Sequence, residues 1–194
     1  MIEITNDLVR QAQAGDQDAA RQIIERLHRP IIGTVYRFLG SRFASEAEDI
    51  AQDVFLKVFR AIDRFDHDRG VKFTTWVYTF VRNHCFDILK KRRLPTVSMS
   101  PIDEDGPRIE TEDESMAQPR EELENSELGQ KIEEALSGLG ADQRLAFVLR
   151  EYEGLDYGSI AQVMGVSEGT VKSRLHRAKE ALRTRLSPYL RAGA

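Results

Sequence analysis

Cysteine is almost absent from this 194-residue chain, with Cys85 as its single thiol. One thiol excludes an internal disulfide and any metal site built on paired cysteines. Because Cys85 lies in an apolar helical stretch, we expect it to be a small buried side chain. Four histidines are too scattered to indicate a metal site. They are His28, His67, His84 and His176. The sequence therefore predicts neither a metal nor another cofactor.

Long apolar runs are also missing. No stretch approaches the roughly eighteen uninterrupted apolar residues that a membrane-spanning helix requires, so no membrane insertion is expected. The first seven residues are acidic and do not form the basic-then-apolar pattern of a secretion signal. We therefore expect a cytoplasmic protein.

Catalytic signatures are absent as well. The sequence contains no phosphate-binding loop, no HExxH zinc motif and no nucleophile elbow. The polar run Asp66-His67-Asp68 is typical of a surface loop rather than a cation site. An enzyme is therefore the least favoured interpretation, and no catalytic residue is proposed.

Charge is unevenly distributed along the chain, whose formal net charge is −4. Residues 94–127 contain 11 acidic and 2 basic side chains, four of the six prolines and no aromatic residue. Such a segment cannot bury enough apolar surface to offset its ordering entropy, which indicates a flexible linker. The remaining residues carry 26 basic and 21 acidic side chains, so the linker joins two mildly basic bodies.

Hydrophobic residues recur at helical spacing on both sides of this linker, and no stretch alternates with period two. A short helix is expected before Gly15, a long one continues past Pro30 to a stop at Gly40, and two more cover 47–62 and 73–91. The fold class is thus all-α. It comprises a four-helix bundle over 1–93 and a smaller helical domain over 128–194.

The C-terminal domain carries the sharpest motif, a helix-turn-helix between Asp156 and Leu186. Gly165 can adopt the left-handed conformation that ends its first helix, and Ser167 is a favourable cap for the second. One face of the second helix is apolar. The other presents mainly basic and polar side chains that suit phosphates and the major groove. These are Lys172, Ser173, His176, Arg177 and Lys179. The alternative is an ordinary helical hairpin with a solvated basic face.

Two helices of the N-terminal domain present unusual polar faces. The 47–62 helix has an acidic face with an apolar centre, suited to a basic protein partner. Its members are Asp49, Gln52, Asp53, Phe55, Leu56 and Arg60. The 73–91 helix interleaves aromatic, hydroxyl, amide and basic groups, a pattern suited to unstacked bases, and ends in a basic run. These side chains are Thr75, Tyr78, Thr79, Arg82, Asn83, Phe86, Lys90, Lys91, Arg92 and Arg93.

The two halves together resemble the extracytoplasmic-function (ECF) group of the sigma-70 family of bacterial sigma factors. Three stretches carry the resemblance, namely Asp49–Phe65, Lys72–Asn83 and Leu155–Leu186. They resemble, in order, the polymerase-binding helix of sigma domain 2, its promoter-melting helix, and sigma domain 4.

The resemblance implies that the chain binds core RNA polymerase and recognises promoters through their −10 and −35 elements. The acidic face would bind the β′ clamp helices, the basic face would read the −35 duplex, and the β flap of polymerase is a further expected contact. The Asp66–Phe73 loop and Asn83 would hold a base flipped from the melted non-template strand. An anti-sigma factor is a further partner in this group. Thr79 departs from relatives that have Arg there, and Arg82 lies one turn later on a similar face.

A stand-alone helix-turn-helix regulator is the alternative that the sequence leaves open. Such a protein would need no polymerase-binding face and would usually carry a dimerisation or ligand-binding element. Residues 1–93 show no heptad seam and no ligand-pocket pattern. Binding to core polymerase would distinguish the two hypotheses.

Overall fold

The structure is a computed structural model that describes residues 4–93 and 127–192. The described residues are all-α, as predicted, and contain eight α-helices. The N-terminal group comprises α1 (Asn6–Gln13), α2 (Gln17–Leu39), α3 (Ala47–Arg60) and α4 (Phe73–Arg93). The C-terminal group comprises α5 (Glu127–Ser137), α6 (Ala141–Glu151), α7 (Tyr157–Met164) and α8 (Glu168–Ala192). The predicted linker lies outside the described residues except for Glu127.

Capping residues set the start of the first two helices. Thr5 Oγ1 accepts a hydrogen bond from the Leu8 amide at 3.4 Å, and Asp16 Oδ1 accepts from the Asp18 amide at 2.9 Å. Between them Gly15 has φ +89°, a conformation that side chains with a Cβ rarely adopt. The chain therefore turns sharply where the sequence predicts a break.

The N-terminal core forms where α2 packs against α3 and α4. Ile23, Phe38, Phe43 and Val54 are at most 1% exposed, and Cys85 is fully buried as expected. Burying each large apolar side chain contributes about 1.5–3 kcal/mol relative to leaving it in water. The amphipathic pattern of the sequence therefore places the three helices face to face.

The C-terminal group has two apolar contact regions. α8 packs against α6 and α7 through Val171 and Leu175, and its later part packs against α5 through Ala178 and Leu182. Ile160, on α7, is completely buried. The first half of α8 is thereby fixed across the short turn that follows α7.

The two groups contact each other directly, which the prediction of two bodies on a flexible linker did not include. α4 packs against α7, α2 packs against α6, and one continuous apolar core includes residues from both groups. Arg144, on α6, donates to the Phe38 carbonyl at 2.9 Å, and Arg37 lies over the Tyr152 ring with 4.3 Å from Cζ to the ring centroid. None of the helices described here is long and apolar enough to cross a membrane.

Candidate nucleic-acid and polymerase interfaces

The helix-turn-helix has the local geometry that the sequence predicts. Asp156 caps α7 by accepting from the Ser159 amide at 2.7 Å, and this hydrogen bond lowers the pKa of the carboxyl group. Gly165 ends α7 with φ +65°, and Ser167 Oγ caps α8 by accepting from the Thr170 amide at 3.2 Å. Two caps and one left-handed glycine thus set the angle between the helices.

The exposed face of α8 contains the five residues predicted to contact the −35 element. All five are exposed, and they are Lys172, Ser173, His176, Arg177 and Lys179. Val171, Leu175 and Ala178 on the opposite face are buried, so this face is directed to solvent. Lys179 Nζ lies 2.9 Å from Glu151 Oε1, which neutralises part of the positive charge at the far end of the face.

Tyr157 is a candidate DNA contact that sequence analysis missed. It is the first residue of α7, is 37% exposed, and its ring lies beneath Arg150 and Lys172, at 4.9 and 5.6 Å from the ring centroid. Cation–π contacts of this kind position two cations beside the α7 N-terminus, where phosphate binding is favoured. An aromatic residue directly after a capping aspartate was the available sequence signal.

The acidic face of α3 is open to solvent. Asp49, Gln52 and Asp53 are exposed, and Leu56 in its centre is 55% exposed. Phe55 requires a correction, because it is only 6% exposed and belongs to the apolar core. Phe55 therefore supports this face from beneath rather than offering contact area.

A neutral histidine orients one carboxylate of that face. His84 Nε2 lies 3.4 Å from Asp53 Oδ2, and Lys57 Nζ contacts His84 Nδ1. Because ammonium can only donate, Nδ1 must accept and Nε2 must carry the proton directed at Asp53. Burial, and then the charge of Lys57, lower the pKa of His84 from its ordinary value and favour this neutral form.

The predicted −10 face of α4 is only partly open. Thr75 and Tyr78 are 2% and 5% exposed, so in this arrangement neither can contact a base. Thr79, Arg82 and Phe86 are half-buried, whereas Asn83 is exposed. Arg82 Nη1 donates to Asn83 Oδ1 at 2.8 Å, and its Cζ lies 5.2 Å from the Phe86 ring centroid. Arginine, amide and aromatic ring are thereby brought together as the sequence predicts.

Glu153, which follows α6, explains why the face is partly closed. Its carboxylate accepts from Thr34 Oγ1 at 2.8 Å and from the Tyr78 hydroxyl at 2.5 Å. Burial, followed by the charge of Glu153, raises the pKa of Tyr78, so this phenol is neutral. No local pattern in the sequence predicts these two contacts, which join residues 119 and 75 positions apart.

The basic end of α4 is exposed at Lys90, Lys91 and Arg92. Arg92 is also engaged within the protein, because its Nη2 lies 2.8 Å from Glu46 Oε1 and its Cζ is 4.3 Å from the Phe43 ring centroid. Arg93 is the last helical residue, and its side chain lies outside the described residues. The two lysines thus offer charge that no described ion pair neutralises.

The loop before α4 is a compact turn. Asp66 Oδ1 accepts from the Asp68 amide at 3.0 Å, and its Oδ2 accepts from Arg69 Nε at 3.2 Å. Phe65 lies beneath the loop, with its ring centroid 5.2 Å from that of Phe73 and 5.4 Å from that of Trp76. Trp76 packs against the core as expected.

These surfaces define a helix-turn-helix protein that exposes a basic face on α8 and an acidic face on α3. Comparison with known proteins specifies the class further. The family model described as Sigma-70 region 2 matches residues 23–94, and the model described as Sigma-70, region 4 matches residues 129–182. The first match contains the acidic face and α4, and the second contains α7 and the basic face of α8.

Sequence similarity to named sigma factors extends over nearly the whole chain. It is 33% identical over 193 residues to RNA polymerase sigma-H factor of Pseudomonas aeruginosa, covering 97% of both chains. It is 31% identical to ECF RNA polymerase sigma-E factor of Escherichia coli, covering 95% of both. Among solved structures, sigma factor RpoE of Bartonella quintana, bound to the anti-sigma factor NepR, is 28% identical with a TM-score of 0.65. That match covers 86% of this chain and 96% of the other.

The chain therefore belongs to the ECF group of the sigma-70 family of RNA polymerase sigma factors. Its function is promoter-specific initiation of transcription with RNA polymerase.

Proposed function

We propose that three separate surfaces divide this function among themselves. The basic face of α8 binds −35 duplex DNA, the acidic face of α3 binds core polymerase, and α4 with the Asp66–Phe73 loop binds the melted −10 strand. Residues 1–93 then act as sigma domain 2, and residues 128–194 act as sigma domain 4. The observation that carries the proposal is the exposure of one basic and one acidic face on different helices of a single chain.

The −35 role rests on the geometry of α8. Four of its five exposed residues, all except Lys179, follow the N-terminal cap within the first three turns, and the N-terminal part of a recognition helix is the part that contacts base edges in the major groove. Arg177 can donate two hydrogen bonds to a guanine edge, whereas Lys172 suits a phosphate. The group containing α8 would contact the polymerase β flap, by analogy with the family.

The polymerase role rests on the face of α3. An exposed leucine surrounded by Asp49, Gln52 and Asp53 offers a small apolar contact with an acidic rim. A basic surface such as that expected on the β′ clamp helices complements it in charge. Polymerase supplies the chemistry of RNA synthesis, and the sigma factor would act beside it in the cytoplasm without a catalytic role of its own.

The −10 role requires a change of arrangement. Thr75 and Tyr78 contact bases only if α7 and Glu153 move away from α4, because the described arrangement buries both side chains. We therefore propose that the two helical groups separate when the chain binds polymerase and promoter. Separation exposes the middle of α4 while the basic end of that helix remains available throughout.

An anti-sigma factor is a further partner that we propose. The solved relative from Bartonella quintana is described in complex with one. Such a partner would inhibit this chain if it bound the α3 face or held α4 and α7 together.

The test of the proposed function is binding of the purified chain to sigma-free bacterial core RNA polymerase, measured by co-elution in size-exclusion chromatography. We expect a one-to-one complex that binds promoter DNA, whereas core polymerase alone does not select promoters. Failure of a folded, inhibitor-free chain to co-elute would contradict the proposal and favour a stand-alone helix-turn-helix regulator.

A further inference from the structure

A single side chain of α1 connects that helix to the turn before the base-binding loop. Gln13 Nε2 donates to the Ile62 carbonyl at 2.9 Å and to the Phe65 carbonyl at 3.0 Å. Gln13 Oε1 lies 2.9 Å from His67 Nε2. Gln13 thus uses both amide hydrogens and its carbonyl oxygen on residues at least 49 positions away.

These three contacts determine the proton positions in the turn. The two carbonyl oxygens require donors, which fixes the orientation of the Gln13 amide. Its Oε1 can only accept, so His67 Nε2 must carry a proton. The opposite ring nitrogen, Nδ1, is buried and has no hydrogen-bond partner among the described residues. The imidazole is therefore held in one orientation by Gln13 and by edge-to-face packing on Phe65, with ring centroids 5.0 Å apart.

We propose that Gln13 is a positioning residue for recognition of the melted −10 strand. It holds the backbone carbonyls of Ile62 and Phe65 before the loop and the His67 ring within it, and these anchors set where the loop and the start of α4 present their groups to an unstacked base. Gln13 itself touches no base, because it lies beneath the turn on α1. This inference rests on the proposed −10 role of the Asp66–Phe73 loop.

Loss of the Gln13 contacts should weaken discrimination between bases of the −10 strand more than it weakens general affinity for that strand. A loop whose first turn is anchored by these hydrogen bonds, two just before it and one to His67 within it, loses little conformational entropy when a base enters it. Without these hydrogen bonds the loop samples other positions. Contacts to the base then weaken more than contacts to the phosphates. Phosphate contacts from Lys90 and Lys91 do not depend on this turn, since those side chains lie at the far end of α4.

The test compares Gln13→Met with Gln11→Met. Methionine keeps the length of the side chain but makes none of the three hydrogen bonds. Gln11 is an exposed glutamine on the same helix, so it controls for the substitution itself. Holoenzyme made with the wild-type chain first selects a preferred single-stranded −10 oligonucleotide from a randomised pool. Each holoenzyme is then titrated with that strand and with copies carrying one abasic position.

The measured quantity is the affinity for the intact strand divided by the affinity for the strand abasic at the most sensitive position. We expect Gln13→Met to reduce this ratio by about tenfold, within the range for one base in a recognition site. Affinity for the abasic strand, for core polymerase and for −35 duplex should match wild type. Gln11→Met should match wild type in every measurement.

An unchanged ratio in folded Gln13→Met would overturn the inference, and so would an equal loss of affinity for all four ligands. If Gln13→Met does not fold, Gln13→Glu is measured instead. Glutamate keeps the acceptor for His67, but its second oxygen donates to neither carbonyl and repels both, so at least the same loss of ratio is expected. If wild-type holoenzyme binds no strand selectively, the proposed −10 role itself fails. That result differs from failure of the inference, in which wild type is selective and Gln13→Met keeps the same affinity ratio.

Discussion

The Tyr78 hydroxyl of α4 donates a hydrogen bond to the Glu153 carboxylate at the end of α6. This contact joins the N-terminal and C-terminal helical groups at the face that we propose for the melted −10 strand. Thr34 of α2 donates to the same carboxylate, so one acidic side chain connects α2 and α4 to the turn that follows α6. Hydrogen bonds to an ionised carboxylate are stronger than hydrogen bonds between neutral groups. The two bonds to Glu153 therefore favour the closed arrangement, in which the two helical groups are in contact.

Replacement of Glu153 by alanine should open this arrangement. The change removes the carboxylate that accepts from the Tyr78 and Thr34 hydroxyls. Both hydroxyls then lose this acceptor while they lie in the contact between the two groups. We expect the closed arrangement to lose about 1.5–3 kcal/mol, the range for hydrogen bonds to charged groups. Small-angle scattering of the free chain should show a larger radius of gyration.

Glu151→Ala is the matched control, because Glu151 ends α6 two residues before Glu153 and pairs with Lys179 within the C-terminal group. Its radius of gyration should equal that of wild type. Equal values for Glu153→Ala and wild type would show that the carboxylate does not hold the groups together.

Replacement of Arg177 by alanine should weaken −35 recognition alone. The residue is exposed on α8, and loss of a base-reading arginine costs about 1–3 kcal/mol with relaxed specificity at one position. Binding of duplex promoter fragments by holoenzyme measures this, and affinity for core polymerase should be unchanged. Arg183→Ala is the control, since Arg183 is exposed later on α8 and pairs with Glu180. Loss of polymerase binding in folded Arg177→Ala would contradict the division of surfaces.

Reversal of charge at Asp53 should weaken binding to core polymerase. Asp53→Arg places a cation where a basic partner surface is expected, and it also removes the acceptor for His84. We expect an increase in Kd of at least about tenfold, in line with the cost of like charges across an interface. Competition for core polymerase measures the Kd. Glu25→Arg, which reverses an exposed carboxylate of α2 rather than of α3, should behave as wild type.

Acidification should destabilise the Asp53–His84–Lys57 cluster. Burial lowers the pKa of His84 below its ordinary value of 6.5. Because the folded-state pKa lies below the unfolded one, the stabilisation is complete above about pH 6.5 and is lost as pH falls through the folded value. Urea unfolding at several pH values should show that wild type loses more stability than His84→Gln. Parallel pH profiles for the two proteins would exclude His84 as the cause.

Local features of this protein could be predicted from its sequence because their causes are local. Gly15, Gly40 and Gly165 end or separate helices at the expected places, since each adopts a positive φ. Ser167 caps α8 through a hydrogen bond to a residue three positions later. The exposed faces of α3 and α8 follow equally from helical periodicity, which fixes the side of a helix on which each side chain lies.

The tertiary structure decided what depends on distant residues. Periodicity put Phe55 near the edge of the acidic face, but packing of α2 against α3 buries it. Periodicity also left Thr75 and Tyr78 on an open face, but both are buried and Tyr78 is bonded to Glu153, because a helical pattern does not specify what packs against it. Gln13 and Glu153 had no sequence signal, since their partners lie at least 49 positions away and meet them only after the chain has folded. The sequence by itself therefore determined the helices and their faces, and the packing between them determined which of those faces are accessible.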